Sequence, residues 1–250
     1  MKLSDIVKGM DKTELLYLKE TYAKTFQGRV LRVEFEGKKN VYLVLDKTIF
    51  HPKGGGQPTD KGHISEQNCE VNIKKALYVG GVVVHWGRML QGRISEGPVF
   101  GEIDWERRYW YMKRHTAGHL LDHCLTVLTG KPVETTESWL ENPCYVGYAG
   151  SPPSASCLES AEEMVNEMIS KDAAVNIESI SYKGLLEIAP DAPNIYRLPV
   201  LETYRIVTID GCNPIPCAGT HLKNIGEIGR LTVKKIETHG SDFRVYYDVQ

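Results

Sequence analysis

Residues 104–132 read DWERRYWYMKRHTAGHLLDHCLTVLTGKP. This stretch separates two parts of the chain whose residue patterns predict different secondary structure. Its apolar residues recur at helical rather than alternating spacing. Asp104 is suited to cap the start of a helix, while Gly130 and Pro132 end the pattern. We therefore predict one long helix from about Trp105 to Leu128.

The part before this helix is rich in short runs of β-forming residues. Glycine-bearing breaks separate the runs, which favours a small barrel or sandwich over βαβ units. Asp11 and Glu14 have capping-box spacing, so we also predict a short helix over Asp11–Tyr22. The predicted strands of this part are Val30–Phe35, Val41–Leu45, Val71–Tyr78 and Val82–Trp86.

The part after the helix mixes both kinds of element. A capping box at Ser160 and Glu163 predicts a helix that ends near Ser170. The predicted strands lie within Thr136–Ala149, at Val175–Ile180, and in a terminal hairpin of Gly229–Ile236 and Asp242–Val249.

Composition narrows the class of protein. With 250 residues, 42% of them hydrophobic and 25% charged, the chain is globular rather than disordered. The 30 Lys and Arg against 32 Asp and Glu exclude a general polycationic surface but allow a local basic patch. No apolar run approaches the roughly 20 residues that span a bilayer. Without an apolar segment at the N-terminus, we expect a cytoplasmic protein, no membrane partner and free thiols.

Two pairs of residues have the spacing of metal ligands. His115 and His119 lie four apart on the predicted helix and so share one face. Cys217 and His221 form a second pair at the same spacing. Three nitrogens and one sulfur suit zinc better than magnesium or calcium, so we predict one Zn²⁺ per chain. The competing interpretation is a small buried cysteine with unrelated histidines.

The sequence leaves several points about this site open. His123 continues the histidine face and Cys212 is a rival sulfur. Four protein ligands are typical of a structural zinc site, whereas three ligands and a water are typical of a catalytic one. Whether His221 or a water holds the fourth position is therefore undecided.

Five segments resemble the editing domains of alanyl-tRNA synthetases in the same order along the chain. The HTAGHLL segment (residues 115–121) resembles their H-T-A-x-H-L-L pattern, and PCAGTHLKN (216–224) resembles their C-G-G-T-H segment. IDWERR (103–108), VNEMI (165–169) and TIFHPKGGGQPTDKG (48–62) are similar to the intervening segments and to the glycine-rich segment of the preceding barrel.

The resemblance covers the chain from about Tyr22 to Val249. Little sequence precedes the match, so we expect a free-standing editing protein of the AlaX type in its medium-length form. The chain departs from the pattern at Ala218, where glycine is usual, and at Gly118, where Thr or Ser is common. These departures leave the amino-acid preference open, and they leave the ligands unchanged.

What the resemblance implies is a fold and an activity. The fold is α+β, with an N-terminal helix and small β-barrel (residues 1–102) and then a two-layer editing domain (103–250) with an antiparallel sheet and a long metal-binding helix. The activity is zinc-dependent hydrolysis, in trans, of mischarged tRNA(Ala), chiefly Ser-tRNA(Ala) with Gly-tRNA(Ala) as a further substrate. The partner is the tRNA acceptor end, and no nucleotide cofactor is expected.

Residues beside the ligands are candidates for substrate contacts. The Thr116 and Thr220 hydroxyls could recognise serine or could equally bond local backbone. The residues predicted to contact tRNA are Gly54, Gly55, Gly56 and Gln57 in the glycine-rich segment and the basic residues Arg107, Arg108, Arg114 and Lys223. Alternative interpretations are a tight barrel turn for the glycines and a solvated mixed surface for the charges.

Two other functions fit part of the pattern. One is a structural-zinc tRNA-binding module without catalysis, and the other is an editing domain of the threonyl type. The glycine-rich segment and the C-x-G-T-H context favour the alanyl type. The sequence decides neither the oligomeric state nor whether zinc activates a water or orients the substrate.

Overall fold

Two units organise the chain in the computed structural model, which describes residues 2–250. One unit comprises Met1–Gly54 and Pro58–Tyr109, and the other comprises Gly55–Gln57 and Trp110–Gln250. The division falls inside the long helix and assigns three residues of the glycine-rich segment to the second unit. The boundary that sequence texture suggests between residues 102 and 103 stays a prediction.

Six antiparallel strands of the first unit close into a barrel. In chain order the unit contains α1 (Leu3–Ile6), β1 (Glu14–Leu15), a 3₁₀ turn (Leu16–Leu18), β2 (Thr25–Glu36), β3 (Asn40–Leu45), β4 (Lys47–Thr48), β5 (Gly62–Glu66), β6 (Cys69–Val79), β7 (Val82–Gln91) and β8 (Gly97–Ile103). The barrel order is β2-β3-β7-β6-β5-β8, and β8 pairs with β2 to close it. The four strands predicted from sequence lie within β2, β3, β6 and β7 and are confirmed.

The barrel also contains two strands that the sequence patterns did not predict, β5 and β8. Along β8 the residues alternate between buried and exposed, but two of the buried positions are Gly97 and Gly101. A Cβ on Gly101 would lie 2.1 Å from the Phe26 ring, so this glycine makes room for a core aromatic side chain. Glycine lacks the apolar side chain that would reveal the alternation in a sequence.

The helix predicted over Asp11–Tyr22 is wrong. This segment instead forms the short strand β1, whose residues Glu14 and Leu15 pair in parallel with Lys47 and Thr48. A single 3₁₀ turn follows, and the amide of Glu14 donates to the Asp46 carbonyl at 2.9 Å. Backbone partners about 30 residues away outweigh a local capping pattern, because strand pairing satisfies the same amides.

The second unit contains helices and two antiparallel sheets. Its elements are α2 (Trp105–Thr129, which begins in the first unit), β9 (Thr135–Trp139), β10 (Tyr145–Tyr148), α3 (Ala155–Ser170), β11 (Val175–Ser181), α4 (Tyr182–Ile188), a 3₁₀ turn (Ile195–Arg197), β12 (Thr203–Ile209), β13 (Ile215–Pro216), a 3₁₀ turn (Ile225–Ile228), β14 (Leu231–His239) and β15 (Asp242–Val249). The sheet orders are β14-β15-β10-β9 and β11-β12-β13. The predicted α+β class, with barrel, antiparallel sheet and long helix, is confirmed.

The long helix α2 is confirmed together with its cap. The amide of Arg107 donates to Asp104 Oδ1 at 3.2 Å, and Gly130 has a φ of +66° just after the helix ends. A Cβ on Gly118 would lie 2.9 Å from the hydroxyl oxygen of Tyr247 on β15, so the glycine lets the helix approach the sheet closely. None of the helices formed by residues 2–250 is both long and apolar enough to cross a membrane.

The start of α3 differs from the prediction. The helix begins at Ala155, and its N-cap is Ser154, whose hydroxyl accepts a hydrogen bond from the amide of Cys157 at 3.2 Å. The Ser160 pattern therefore lies inside the helix, although the predicted end at Ser170 is confirmed. The strand β12 and the helix α4 were not predicted, even though TYRIVTI in β12 is rich in β-forming residues.

A buried ion pair holds one end of the glycine-rich segment in the first unit. Arg108 and Asp60 are each at most 1% exposed and form a close bidentate contact. The Arg108 guanidinium also donates to the Ile49 carbonyl at 2.6 Å, and Asp60 accepts from the amide of His51 at 2.6 Å. This burial corrects the expectation that Arg108 contacts tRNA, because its donors already have protein acceptors.

Candidate metal centre

The structure brings together the four residues predicted as ligands, all within the second unit. His115 and His119 lie one turn apart on α2, and Cys217 and His221 lie on the loop that follows β13. The four potential ligand atoms are all within 4.8 Å of one another. Cys217 Sγ is 3.4 Å from Nε2 of His115 and 3.4 Å from Nε2 of His221.

Each of the three imidazoles has its Nδ1 toward a neighbour outside the cluster. Each has Nδ1 near a different neighbour: Gln57 Oε1 is 3.2 Å from that of His115, Asp122 Oδ2 is 3.7 Å from that of His119, and Thr116 Oγ1 is 3.5 Å from that of His221. Their Nε2 atoms are left for the centre of the cluster. Fixing Nδ1 from outside is how proteins select the tautomer that ligates through Nε2.

The ionisation of the cysteine and of two histidines in the cluster suits metal binding in part. Burial opposes ionisation of Cys217, yet His115 and His221 hold its pKa well below the ordinary value, which favours the thiolate. Burial and His115 lower the pKa of His221 to about 3 and keep it neutral. Burial also disfavours the charge on His119, but Asp122 and Cys217 outweigh it and raise its pKa to about 9. A metal ion would therefore displace a proton from His119.

Two of the six distances between ligand atoms match those around a tetrahedral ion of the size of zinc, while the set as a whole is bounded only by 4.8 Å. Zn–N distances of about 2.0–2.1 Å and a Zn–S distance of about 2.3 Å place neighbouring ligand atoms roughly 3.3–3.6 Å apart. The two Cys217–histidine distances of 3.4 Å fall in this range. His119 Nε2 is buried and has no hydrogen-bond partner among the described residues. A buried polar atom in this position requires a partner, and a metal ion would be one.

Two residues behind His119 were not predicted. Asp122 is 5% exposed, and one of its oxygens accepts a hydrogen bond from the hydroxyl of Tyr148 at 2.7 Å. Its other oxygen faces His119 Nδ1. Asp122 lies three residues after His119 on the helix, so its spacing is visible in the sequence. The tyrosine lies on β10, and no pattern in its local sequence predicts this contact.

The two threonines predicted as serine-recognition candidates are both fully buried. The Thr116 hydroxyl accepts from the amide of Leu222 at 3.2 Å, and the Thr220 hydroxyl accepts from Gln57 Nε2 at 2.8 Å. Both hydroxyls therefore stabilise the loop that carries Cys217 and His221. Neither partner is the local backbone of the alternative interpretation, because Leu222 lies 106 residues from Thr116 and Gln57 lies 163 residues from Thr220. Serine recognition by either hydroxyl stays a prediction.

The rival ligands lie outside the cluster. Among residues 2–250, the group that could hold an ion at this site contains neither His123 nor Cys212. Burial lowers the pKa of His123, and burial raises the pKa of Cys212 to about 12, so the thiol of Cys212 stays protonated. A protonated thiol is a poor zinc ligand.

The glycine-rich segment contributes Gly55, Gly56 and Gln57 to the second unit, and of the two glycines only Gly56 is tightly placed. Gly56 has a φ of +80°, and a Cβ there would lie 2.2 Å from Ser138 Oγ, so both conformation and space require glycine. Gly55 has a φ of +54° and is exposed with open space around it. Gly54 is also exposed and belongs to the first unit. Contacts between Gly54, Gly55 or Gly56 and tRNA stay a prediction.

The basic residues predicted to contact tRNA divide into two groups. Arg114 is 1% exposed and donates to the Leu140 carbonyl at 2.7 Å and to Asp248 Oδ1 at 2.8 Å. Like Arg108, it is a structural residue, which corrects the prediction. Arg107 is half-buried and Lys223 is exposed, so contacts of these two with tRNA stay a prediction.

Gly219→Ala is expected to weaken zinc binding by about 100-fold or more, because the new Cβ would lie 2.0 Å from His115 Cε1 and 2.4 Å from its Nδ1. Either the imidazole or the loop must move away from the centre. Zinc affinity measured by chelator competition checks this. The matched control is Ala218→Ser at the exposed neighbouring position, which should keep its zinc. A Gly219→Ala protein with unchanged affinity would contradict the expected clash.

Fold and site together define a class of protein: an α+β chain with a closed six-stranded barrel and a second unit in which a helix and a loop present three histidines and a cysteine to one point. Residues 2–107 match the family model described as "tRNA synthetases class II (A)". The "Alanyl-tRNA editing protein AlaX-M" of Methanosarcina mazei is 30% identical over 248 residues, covering 95% of this chain and 96% of that protein.

Two further relatives belong to the same group of alanyl-tRNA proteins by their names. The "Alanyl-tRNA editing protein AlaX-M" of Saccharolobus solfataricus is 31% identical, covering 95% of this chain and 99% of that protein. The "Alanine--tRNA ligase" of Pyrobaculum neutrophilum is 31% identical over 248 residues. The chain covers 26% of that ligase's length, so it matches about a quarter of the longer protein. The chain belongs to the AlaX-M family of alanyl-tRNA editing proteins.

Proposed function

We propose that this protein hydrolyses the ester bond of tRNA(Ala) mischarged with serine, and also with glycine, and that the reaction depends on one zinc ion. The observation that carries the proposal is the convergence of His115, His119, Cys217 and His221 in a chain that aligns with AlaX-M proteins over nearly its whole length. The products are the free amino acid and uncharged tRNA, with water supplying the proton and the hydroxyl group.

The four side chains would hold the ion through three Nε2 atoms and one thiolate. Zinc bound there would supply Lewis acidity toward an ester carbonyl or a water, provided that it takes a fifth ligand or that one of the four side chains gives way. His115 and His221 are buried, whereas His119 and Cys217 are partly exposed. The aminoacyl end therefore approaches from the side of His119 and Cys217, and the buried side excludes water.

Serine has to be edited because the selection of alanine over serine has a physical limit. A pocket for alanine cannot strongly reject an amino acid that merely adds a hydroxyl group, so serine is charged in error. A site that accepts serine cannot exclude alanine by size. The editing pocket must instead bind the serine hydroxyl with a polar group, and the two buried threonines behind the ligands are already engaged.

Holding the tRNA requires phosphate contacts, and each unit offers one basic residue for them. Lys223 is exposed and lies two residues after His221, and Arg107 is half-buried at the start of α2. We propose these two as phosphate-binding residues. Binding through them would weaken as the salt concentration rises, because cations bound to the phosphates are released on association.

The decisive experiment is a deacylation panel with tRNA(Ala) charged with serine, glycine or alanine, and a tRNA charged with threonine. Purified protein is expected to release serine fastest, glycine more slowly, and to leave alanine and threonine bound. A strong chelator should abolish the release, and one equivalent of Zn²⁺ should restore it.

Two outcomes would replace the proposal with another function. A protein that contains one zinc and binds tRNA(Ala) but turns over none of the four substrates is a structural-zinc binding module. A protein that releases threonine in preference to serine is an editing enzyme of the threonyl type. Full activity in protein shown to lack metal would end the zinc part of the proposal alone.

A further inference from the structure

Gln57 follows the three glycines of the glycine-rich loop, and its side chain lies inside the second unit. Its side chain is fully buried and reaches both halves of the ligand set. Oε1 is 3.0 Å from the amide nitrogen of Thr220 and 3.2 Å from His115 Nδ1, while Nε2 is 2.8 Å from Thr220 Oγ1. His115 and Thr220 are 105 residues apart, and this one amide contacts both.

The partners of Gln57 determine which atom donates and which accepts in each hydrogen bond. The amide of Thr220 can only donate, so the Gln57 atom that faces it must be the oxygen. The same oxygen faces His115 Nδ1, so Nδ1 must carry a proton and donate it. The neutral ring then has its lone pair on Nε2, the atom that lies 3.4 Å from Cys217 Sγ. Gln57 thereby selects the ligating tautomer of His115.

The backbone before Gln57 is fastened to the second unit at two points. The Leu140 amide donates to the Gly56 carbonyl at 3.2 Å, and Ser138 Oγ donates to the Gly55 carbonyl at 3.1 Å. Only glycine fits at position 56, against the backbone of Ser138. The loop is therefore held where Gln57 can reach the cluster.

We propose that Gln57 is a positioning residue for the metal centre: it fixes the tautomer of His115 and ties that ligand to the Cys217–His221 loop, so that zinc affinity depends on the glycine-rich loop. The proposal rests on the zinc dependence proposed above. It gives the Gln57 side chain a role different from the tRNA contact that the sequence suggested, because a fully buried amide cannot bind a phosphate.

The test compares zinc affinities, measured by chelator competition, of the wild-type protein and the variants Gln57→Leu, Gln57→Glu and Ser138→Ala. Gln57→Leu removes the acceptor for His115 and should weaken zinc binding by about 10–100-fold. Gln57→Glu keeps an oxygen for both donors and should hold zinc within about threefold of the wild type. Ser138→Ala removes one of the two fastenings of the same loop without touching a ligand, so it should weaken zinc binding clearly less than Gln57→Leu does.

Cobalt(II) substitution gives a second readout that a merely structural role would not change. The wild type and Gln57→Glu should show the strong visible absorption of a tetrahedral site, and Gln57→Leu should show a weaker or shifted spectrum. If Gln57→Leu does not fold, Gln57→Glu still decides, because a folded Gln57→Glu protein with a tenfold loss of affinity overturns the proposal.

Other outcomes separate this proposal from the proposed function. A wild type that takes up no zinc or cobalt refutes the zinc dependence and this proposal with it. A wild type that binds zinc, with Gln57→Leu binding equally well, refutes only the role of Gln57. Equal losses in Gln57→Leu and Ser138→Ala would assign the effect to loop placement and also overturn it.

Discussion

Cys217→Ala is expected to remove zinc and Ser-tRNA(Ala) deacylation together, with a loss of activity of about 10³-fold or more. The thiolate is the one anionic ligand of the cluster and lies 3.4 Å from two imidazole nitrogens. Without it only three neutral imidazoles would remain to hold the divalent cation, and its one anionic ligand would be lost. A metal contributes several kcal/mol to such a reaction, and about 1.4 kcal/mol corresponds to a factor of ten in rate. Metal content and deacylation rate are measured on the same preparation.

The chain offers matched controls for this substitution. Cys212→Ala removes a thiol five residues earlier, whose raised pKa keeps it protonated, and it should change neither zinc content nor rate. His119→Ala and His123→Ala form a second pair, one turn apart on the same helix, in which only the first should lose metal. A Cys217→Ala protein that retains both zinc and activity would show that the cluster is not the active centre.

The largest expected effect on stability comes from Arg108→Met. This change leaves the carboxylate of Asp60 buried without its partner, and breaking such a pair costs about 3–5 kcal/mol of the free energy of unfolding. The loss is large because the guanidinium also satisfies the carbonyl of Ile49 inside the first unit. Urea unfolding of the whole protein measures it.

A neighbouring residue and a double variant test the cause. Arg107→Met changes the half-buried adjacent arginine and should alter the free energy of unfolding by less than about 1 kcal/mol. Adding Asp60→Asn to Arg108→Met removes the stranded charge and should recover part of the loss. A shift for Arg108→Met no larger than that for Arg107→Met would mean that the ion pair contributes little.

Much of the helical structure could be predicted because its signals are local. The 3.6-residue period, the cap at Asp104 and the glycine at position 130 together define α2 without reference to any other part of the chain. The spacing of four within each ligand pair is also a local property. This is why the sequence alone predicted both pairs of residues that the structure brings together as a candidate metal site.

Predictions that depended on distant partners were less successful. The capping pattern at Asp11 was outweighed by pairing of Glu14 and Leu15 with β4. Strand β8 lacked a clear alternating pattern because glycines fill two of its four inward positions. In each case the free energy that decides the backbone conformation comes from contacts across the fold, and no local window of sequence contains them.

The sequence by itself determined the helix, most of the strands, the family resemblance and the identity of the four candidate ligands. The tertiary structure decided what the neighbouring polar residues do. Arg108 pairs with a carboxylate 48 residues away, and Gln57 contacts a threonine 163 residues away. The surroundings of a charged or amide side chain decide whether it is solvated, contacts substrate or bonds within the fold, because burying it without a partner costs free energy. Only the folded chain supplies those surroundings.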